Sequence, residues 1–328
     1  MNFRQTGPPF ASRNTLLFLA LIMLLATGLR LYKLDAHGIF LDEKFTLVCT
    51  QGVVQEGANQ RDVFFTPGKA YFTPAEFWKP KSLADYNEAI IRSDISNSPA
   101  YTGLLALWIE IFGIGDYATR SLSVLFSLGV VVLTYLLAVR YTGSERVGLF
   151  SAALAATEPF FVAYAHVARS YSMTIFVSLL STYLFLLILE RRTAGKHPWG
   201  LYIGYGISYA FTILGHSLGA MIFVAHGLYL LFYVRDPKTY LALGLTWFIA
   251  TATLLLPWFT IGGGRYIFMT MAYQGQFYRN LAYTNPTGNG FGYILPATLP
   301  NVLRMALPVF ADLFWLTNGL TQIGRAHV

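Results

Sequence analysis

The chain is poor in charged residues and contains a single cysteine. Only 12% of its 328 residues are Asp, Glu, Lys or Arg, about half the roughly 25% that a typical soluble domain carries. In contrast, 55% of the residues are hydrophobic, and apolar runs of membrane-spanning length recur along the chain. This composition excludes an ordinary soluble domain and predicts an all-α polytopic membrane protein. The lone Cys49 excludes an intramolecular disulfide.

Two further absences concern ligands. No set of His, Asp and Glu has the spacing of metal ligands, and no internal repeat is evident. The net charge of +7 fits the cationic cytoplasmic loops of an inner-membrane protein, so it does not indicate a nucleic-acid partner. The sequence therefore predicts no certain cofactor, although a divalent cation held by a carboxylate stays an open alternative.

Seven apolar runs are predicted to cross the bilayer. They cover residues 15–32, 118–139, 147–165, 171–189, 199–214, 218–233 and 240–259. A long polar loop with interfacial helices at 81–91 and 99–113 follows the first run, and a second polar loop follows residue 262, with another helix expected at 302–316. Residues 323–328 resemble a translated sequencing adapter, so we expect residues 1–322 to be native and the natural protein to continue further.

The charges of the short loops set the orientation. The loops at 140–146, 190–196 and 235–238 are all cationic, and they lie on one side of the predicted layout, together with the N-terminus. Because short cytoplasmic loops carry an excess of Lys and Arg, this side is predicted to be cytoplasmic. The two long loops then lie on the outer, periplasmic face of a bacterial inner membrane.

The outer side also gathers the residues that are unusual in an apolar chain. Asp42 and Glu43 follow the first span, and the other candidates on this side are Arg120, His166, Arg169, His216 and Arg265. A charge in hydrocarbon costs about 2.5–3.5 kcal/mol on insertion scales, so such residues are functional candidates by default. A carboxylate can act as a general base, and fixed cations can stabilise a departing phosphate. This combination predicts transfer chemistry on an anionic lipid.

Each candidate also has a plainer interpretation. Arg120 and Arg169 could be interfacial arginines whose charges reach the headgroups. His216 could belong to a turn in which the next serine caps a helix. Glu158 could satisfy a neighbouring polar group, and Asp94 could cap a helix.

Several short motifs together resemble the GT-C membrane glycosyltransferases of the protein-mannosyltransferase-like group, which comprises glycosyltransferase family 39 and its bacterial relatives. Each motif alone is weak, but their order and spacing are fairly specific. The matching segments are Leu41-Asp42-Glu43, Pro99-Ala100-Tyr101, Phe112-Gly113, Asp116, Arg120-Ser-Leu-Ser123, Ala168-Arg169-Ser170-Tyr171 and Gly215-His216-Ser217.

The resemblance implies a GT-C-type helical bundle with a long outer first loop. It implies an inverting transfer of a hexose or pentose from a polyprenyl-phosphate donor, with Asp42 as base and Glu43 beside it. Arg120 and Arg169 would bind the lipid phosphate, and Tyr101 and Tyr171 are candidates for substrate binding. Many relatives carry Gln-Glu where this chain has His166-Val167, so an expected second carboxylate is missing and Glu158 is a candidate replacement.

Two other functions stay open at this point. A flippase or transporter for lipid-linked sugars would show repeats and broken helices in paired positions. A polymerase or ligase of the O-antigen type would favour arginines in the late outer loop, where Arg265 and Arg279 lie. The acceptor could be a protein, a lipid or a polysaccharide.

Overall fold

The computed structural model describes residues 12–53, 79–93, 98–287 and 294–314. All the regular structure in these ranges is helical. Among the helices in these ranges, four are long and apolar enough to cross a membrane, and a bent pair gives a fifth if it counts as one span. The expectation of an all-α polytopic membrane protein is therefore confirmed. Asp94 and residues 323–328 lie outside the described ranges, so the predictions for them stay predictions.

The chain divides into two units, Met1–Gly264 and Arg265–Val328. The described α-helices of the first unit are α1 (Arg13–Leu31), α2 (Leu41–Thr50), α3 (Leu83–Ser93), α4 (Pro99–Phe112), α5 (Asp116–Thr142), α6 (Glu145–Thr157), α7 (Pro159–Ala165), α8 (Tyr171–Thr193), α9 (Trp199–Gly215), α10 (Met221–Tyr233), α11 (Pro237–Ala250) and α12 (Leu256–Thr260). The four candidate spans are α1, α5, α8 and the continuous segment Pro237–Thr260.

Local sequence explains several helix ends. The hydroxyl of Ser12 accepts from the N–H of Thr15 at the start of α1, and Asp236 caps α11 in the same way with Pro237 at the first helical position. Helix α5 ends at Gly143, whose φ of 68° lies in the left-handed region that glycine adopts without strain.

Helix α5 is the centre of the bundle and packs against α1, α4, α6, α7 and α8. It runs parallel to α8, and the ring centres of Phe126 and Phe176 lie 5.6 Å apart between the two helices. Helix α6 returns antiparallel to α5 and approaches it closely at Gly148, where an added Cβ would lie 2.3 Å from Val139. Helices α8 to α11 share a second core around Phe185, Tyr205 and other aromatic residues.

The structure differs from the sequence prediction at one span and in the first outer loop. The predicted span at 147–165 is broken into α6 and α7, which meet at 55°, because Pro159 has no N–H to continue the helix. Helix α9 and the helical segment Ser217–Tyr233 each contain 17 residues, and the prediction that they cross the bilayer stays a prediction. The predicted first outer loop contains an unexpected helix, α2, besides the expected α3 and α4.

The second unit contains α13 (Ile267–Thr284) and α14 (Leu299–Phe314). Helix α13 occupies a stretch that the sequence predicts to be a polar loop, so that prediction is wrong there. The expected last helix begins at Leu299, three residues before the predicted start. The N–H of Ile294 donates to the carbonyl of Pro286 at 2.9 Å between the two helices.

Candidate active site

Asp42 and Glu43 lie in the first turn of α2. Consecutive residues of a helix point in directions about 100° apart, so adjacent carboxylates do not share a face. Glu43 is buried, with 1% of its surface exposed, whereas Asp42 is half-buried. The helix therefore places the two carboxylates in different environments.

The Glu43 carboxylate accepts four hydrogen bonds. Its Oε1 accepts from Nε of Arg120 and from the N–H of Ala168, each at 2.8 Å. Its Oε2 accepts from Nη2 of Arg120 at 2.8 Å and from the N–H of Phe40 at 3.3 Å. A bidentate Arg–carboxylate pair is among the strongest side-chain interactions. Glu43 thus ties the start of α2 both to α5 and to the segment before α8.

Arg120 uses its remaining N–H groups on the connection between α1 and α2. Nη1 donates to the carbonyls of Leu34 and His37 at 2.9 and 2.8 Å, and Nη2 also donates to the carbonyl of Gly38 at 3.1 Å. With the two bonds to Glu43, all five guanidinium donors have acceptors. This geometry fits a positioning role, and the predicted contact of Arg120 with a donor phosphate stays a prediction.

Arg169 contacts α2 through Asp42 and Thr46. Its Nη1 donates to the hydroxyl of Thr46 at 2.8 Å and to the backbone carbonyl of Asp42 at 3.3 Å. The guanidinium carbon lies 5.9 Å from the ring centre of Tyr171. Because Tyr171 begins α8, Arg169 stands beside a helix N-terminus, where backbone N–H groups favour anions. Its charge therefore lies within one turn of α2 from Asp42.

The Asp42 side chain is less constrained than its neighbour. Its backbone carbonyl accepts from Thr46 and from Arg169. Across the part of the chain that the structure describes, its carboxylate has no hydrogen bond or ion pair. A half-exposed carboxylate beside a fixed cation can accept a proton from a bound hydroxyl without first breaking a bond to the protein.

A layer of hydroxyl groups stands behind Arg169. The Tyr101 hydroxyl is 2.8 Å from Oγ of Ser123, which donates to the carbonyl of Arg169 at 3.4 Å. Oγ of Ser98 donates to Oγ of Ser170 at 3.1 Å. Tyr101 has no exposed surface, and burial raises the pKa of its hydroxyl. Tyr101 is thus placed to support the wall of the site.

Two histidines that the sequence names as candidates, His166 and His216, lie at the end of the bundle that carries Arg169. His166 follows α7 and is half-buried, and desolvation lowers the pKa of its imidazole. Nδ1 of His216 accepts from the N–H of Leu218, so His216 itself caps the following turn. Its ring lies 6.2 Å from that of Tyr171.

Two further candidates have no bond to these residues in the described part of the chain. Glu158 ends α6, and its side chain has no hydrogen bond or ion pair with any residue that the structure describes. Arg265 belongs to the second unit, where its guanidinium lies 4.7 Å from the ring centre of Tyr266. Their predicted roles in substrate binding stay predictions.

A cavity of about 910 Å³ begins at the C-terminal half of α2. It is lined mainly by apolar side chains of α2, α3, α4, α9 and the end of the Pro237–Thr260 segment, with Gln51, Asn87 and Glu110 among its few polar residues. Its volume is at the upper end of the range for ligand pockets. The same short helix thus carries Asp42 at one end and a wall of this cavity at the other.

No group of three or more His, Cys, Asp and Glu side chains that could hold a metal occurs within residues 12–53, 79–93, 98–287 and 294–314. Because the Glu43 oxygens already accept four N–H groups, Asp42 is the carboxylate of this cluster with room for a cation.

Sequence reasoning missed the groups that connect the charged residues. Thr46 lies four positions after Asp42, a spacing that carries meaning only once α2 is known to be helical. The N–H of Ala168 has no signal in a sequence. Arg30 does have one, since it is a charge in the last turn of the first span.

Comparison with known proteins bears on the family. No curated protein matches the chain. Residues 96–258 match the family model described as Dolichyl-phosphate-mannose-protein mannosyltransferase. The matched segment includes Arg120 and Arg169 and begins after Asp42 and Glu43. This match supports the assignment of the chain to the protein-mannosyltransferase-like group of membrane glycosyltransferases.

Proposed function

We propose that the protein is an inverting glycosyltransferase that moves a hexose or pentose from a polyprenyl-phosphate donor to a hydroxyl acceptor. The observation that carries this proposal is the contrast within α2. Glu43 is fully engaged by Arg120 and backbone groups, while the Asp42 carboxylate stays available beside Arg169. The family that residues 96–258 match is named for a dolichyl-phosphate-linked mannose, which is a donor of this chemistry.

The proposed reaction has a simple balance of bonds. The oxygen of the acceptor hydroxyl attacks the anomeric carbon, and the bond from that carbon to the phosphate oxygen breaks. The electron pair leaves with the polyprenyl phosphate, and the hydroxyl proton moves to the Asp42 carboxylate. Arg169 stabilises the charge that develops on the departing phosphate. A general base contributes roughly 10²–10⁴-fold to such a reaction.

The apolar cavity supports the lipid part of the proposal. A polyprenyl chain needs an apolar surface that is continuous with the site of its phosphate. The cavity begins on α2 between Cys49 and Gln51, about two turns from Asp42. We therefore assign the isoprenoid chain to the cavity and the phosphate to the neighbourhood of Arg169.

We also propose the outer, periplasmic face of a bacterial inner membrane for this chemistry. The argument comes from the opposite end of the bundle, where α5 ends near Arg140 and α8 ends near Arg191 and Arg192. Arginines beside short connections favour the cytoplasm. A protein, a lipid or a polysaccharide could serve as the acceptor.

The test uses membranes that contain the protein and a panel of labelled polyprenyl-phosphate hexoses and pentoses. We expect Asp42→Asn to lower transfer by about 10²–10⁴-fold without changing the thermal unfolding temperature, because its side chain makes no bond to the described residues. Asp35→Asn is the matched control, since Asp35 is an exposed carboxylate on the connection before α2.

Full activity of Asp42→Asn would remove Asp42 from the mechanism. If the unaltered protein transfers no sugar from any donor but moves labelled lipid across vesicles, the protein is a transporter instead.

A further inference from the structure

Arg30 is a fully buried arginine in the last turn of α1. Within the described ranges no carboxylate pairs with it. Instead, Nη2 donates to the carbonyl of Ala155 at 3.1 Å, and Nη1 donates to those of Ala156 and Ala26 at 2.9 and 3.2 Å. Nε donates to Oγ of Ser127 at 2.8 Å. The guanidinium is therefore held almost entirely by backbone carbonyls.

One of these carbonyls has lost its normal partner. In a continuous helix the carbonyl of Ala155 would accept from the N–H of residue 159, but that residue is proline and has no N–H. Prolines are tolerated in membrane helices when a neighbouring group satisfies the freed carbonyl. A positive charge is also favourable at a helix C-terminus. At the end of α6, Arg30 supplies both a hydrogen-bond donor for the freed carbonyl and a positive charge.

The same network extends into α7. Oγ of Ser127, which accepts from Arg30, donates to the carbonyl of Phe161 at 3.1 Å. Helices α6 and α7 meet at 55° around this point. Beyond α7, the chain leads directly to the Ala168 N–H on Glu43 and to Arg169. The direction of α7 thus determines where these groups reach α2.

We infer that Arg30 and Pro159 act as a matched pair, in which the proline opens the helix and the arginine fixes the resulting bend so that Ala168 and Arg169 reach α2. Arg30 is a positioning residue for the proposed transfer. This inference rests on the proposed function only where transfer is the quantity measured, and the experiment below also includes two measurements that need no activity.

The first experiment compares Arg30→Met, Pro159→Ala and the double variant in detergent micelles. Arg30→Met leaves the carbonyl of Ala155 without a donor, so we expect a lower unfolding temperature. In the double variant the alanine restores an N–H within the helix, so we expect the unfolding temperature to return towards that of the unaltered protein. Arg30→Lys keeps the positive charge and some of the N–H donors, so its values should lie between those of Arg30→Met and those of the unaltered protein in every measurement.

The second measurement reports the position of the segment before α8. Ser98→Cys and Ser170→Cys are combined in a Cys49→Ser background, because the two hydroxyl oxygens lie 3.1 Å apart and a disulfide needs such proximity. We expect an oxidant to form this cross-link when Arg30 and Pro159 are present. In the Arg30→Met and Pro159→Ala double variant, whose helix can straighten, we expect less cross-link, an at least tenfold lower kcat/KM and a raised donor KM.

Two outcomes would overturn the inference. If the double variant recovers unfolding temperature, cross-link and transfer together, the bend does not position the site. If it recovers none of them, Arg30 does not act through Pro159. A complete lack of transfer in the unaltered protein would refute the proposed function instead, while the unfolding and cross-linking results would still decide this inference.

Discussion

Helix α5 carries an arginine near each end, and the two are bonded in different ways. Arg120 is 3% exposed and directs five N–H groups to Glu43 and to three backbone carbonyls. Arg140, roughly 30 Å further along the helix, pairs with Glu190, and the two side chains are 23% and 21% exposed. Both are arginine–carboxylate pairs, but within the described residues Arg120 also donates to the backbone of another segment and Arg140 does not.

The difference shows what each end of the bundle is built to do. At the Arg140 end, the second ion pair joins Arg192 to Asp236 at 2.9 Å, and Asp236 is also the N-cap of α11. Hydrogen bonds from Thr239, together with those from Arg192, lower the pKa of Asp236 to about 2. These contacts fasten neighbouring helix ends. At the Arg120 end, the buried pair fixes α2, and α2 presents Asp42.

The largest expected effect comes from breaking the buried pair. Arg120→Met leaves Glu43 as an uncompensated buried charge, so we expect a loss of about 3–5 kcal/mol in the free energy of unfolding. Transfer should be lost with it, because the start of α2 is no longer fixed. Denaturant unfolding of the purified protein in micelles measures the first quantity.

The double variant Glu43→Met with Arg120→Met separates charge burial from positioning. Replacement of a whole buried pair by apolar residues is often neutral for stability. We therefore expect much of the stability to return without transfer. An Arg120→Met variant as stable as the unaltered protein would contradict the buried pair and erase the contrast between the two ends.

The sequence predicts this end of the bundle better than it predicts the contacts within it. Charges are rare in an apolar chain, so Asp42, Glu43, Arg120 and Arg169 are conspicuous, and the alternation of spans puts them on one side. The apolar runs that form α1, α5, α8 and the Pro237–Thr260 segment are long enough to be recognised without a structure.

What the sequence does not predict depends on packing. The ten residues of α2 are too few and too mixed for a clear period, so a loop was the natural expectation there. Which of two adjacent carboxylates is buried follows from the face that α2 presents to α5. Likewise, the sequence predicts a single span at 147–165, and only the structure shows that the chain bends at Pro159 and that Arg30 satisfies the freed carbonyl.

A smaller loss of transfer is expected when Arg169 is replaced. This variant distinguishes the binding of the donor by Arg169 from the fixing of α2 by Arg120. Arg169→Ala should raise the donor KM and lower turnover, because the proposed phosphate loses its cation. Thr46→Val is the finer variant, since it removes only the hydroxyl that accepts from Nη1 at 2.8 Å. We expect it to cost about 1 kcal/mol of stability and to raise the donor KM less than Arg169→Ala does. Unchanged donor KM and turnover in Arg169→Ala would exclude Arg169 from the donor site.

The smallest effect is expected at the opposite end of α5. Arg140→Ala removes a partly exposed pair, and such pairs contribute about 0–1 kcal/mol, so the free energy of unfolding should change little and transfer should stay near its original rate. The contribution of this pair to the free energy of unfolding should decrease as the salt concentration is raised, because exposed charges are screened. Glu190→Gln is the matched variant and should behave in the same way. If Arg140→Ala lowered stability and transfer as much as Arg120→Met does, the two ends of α5 would not differ in the way that their contacts predict, and this contrast would no longer support placing the site at the Arg120 end.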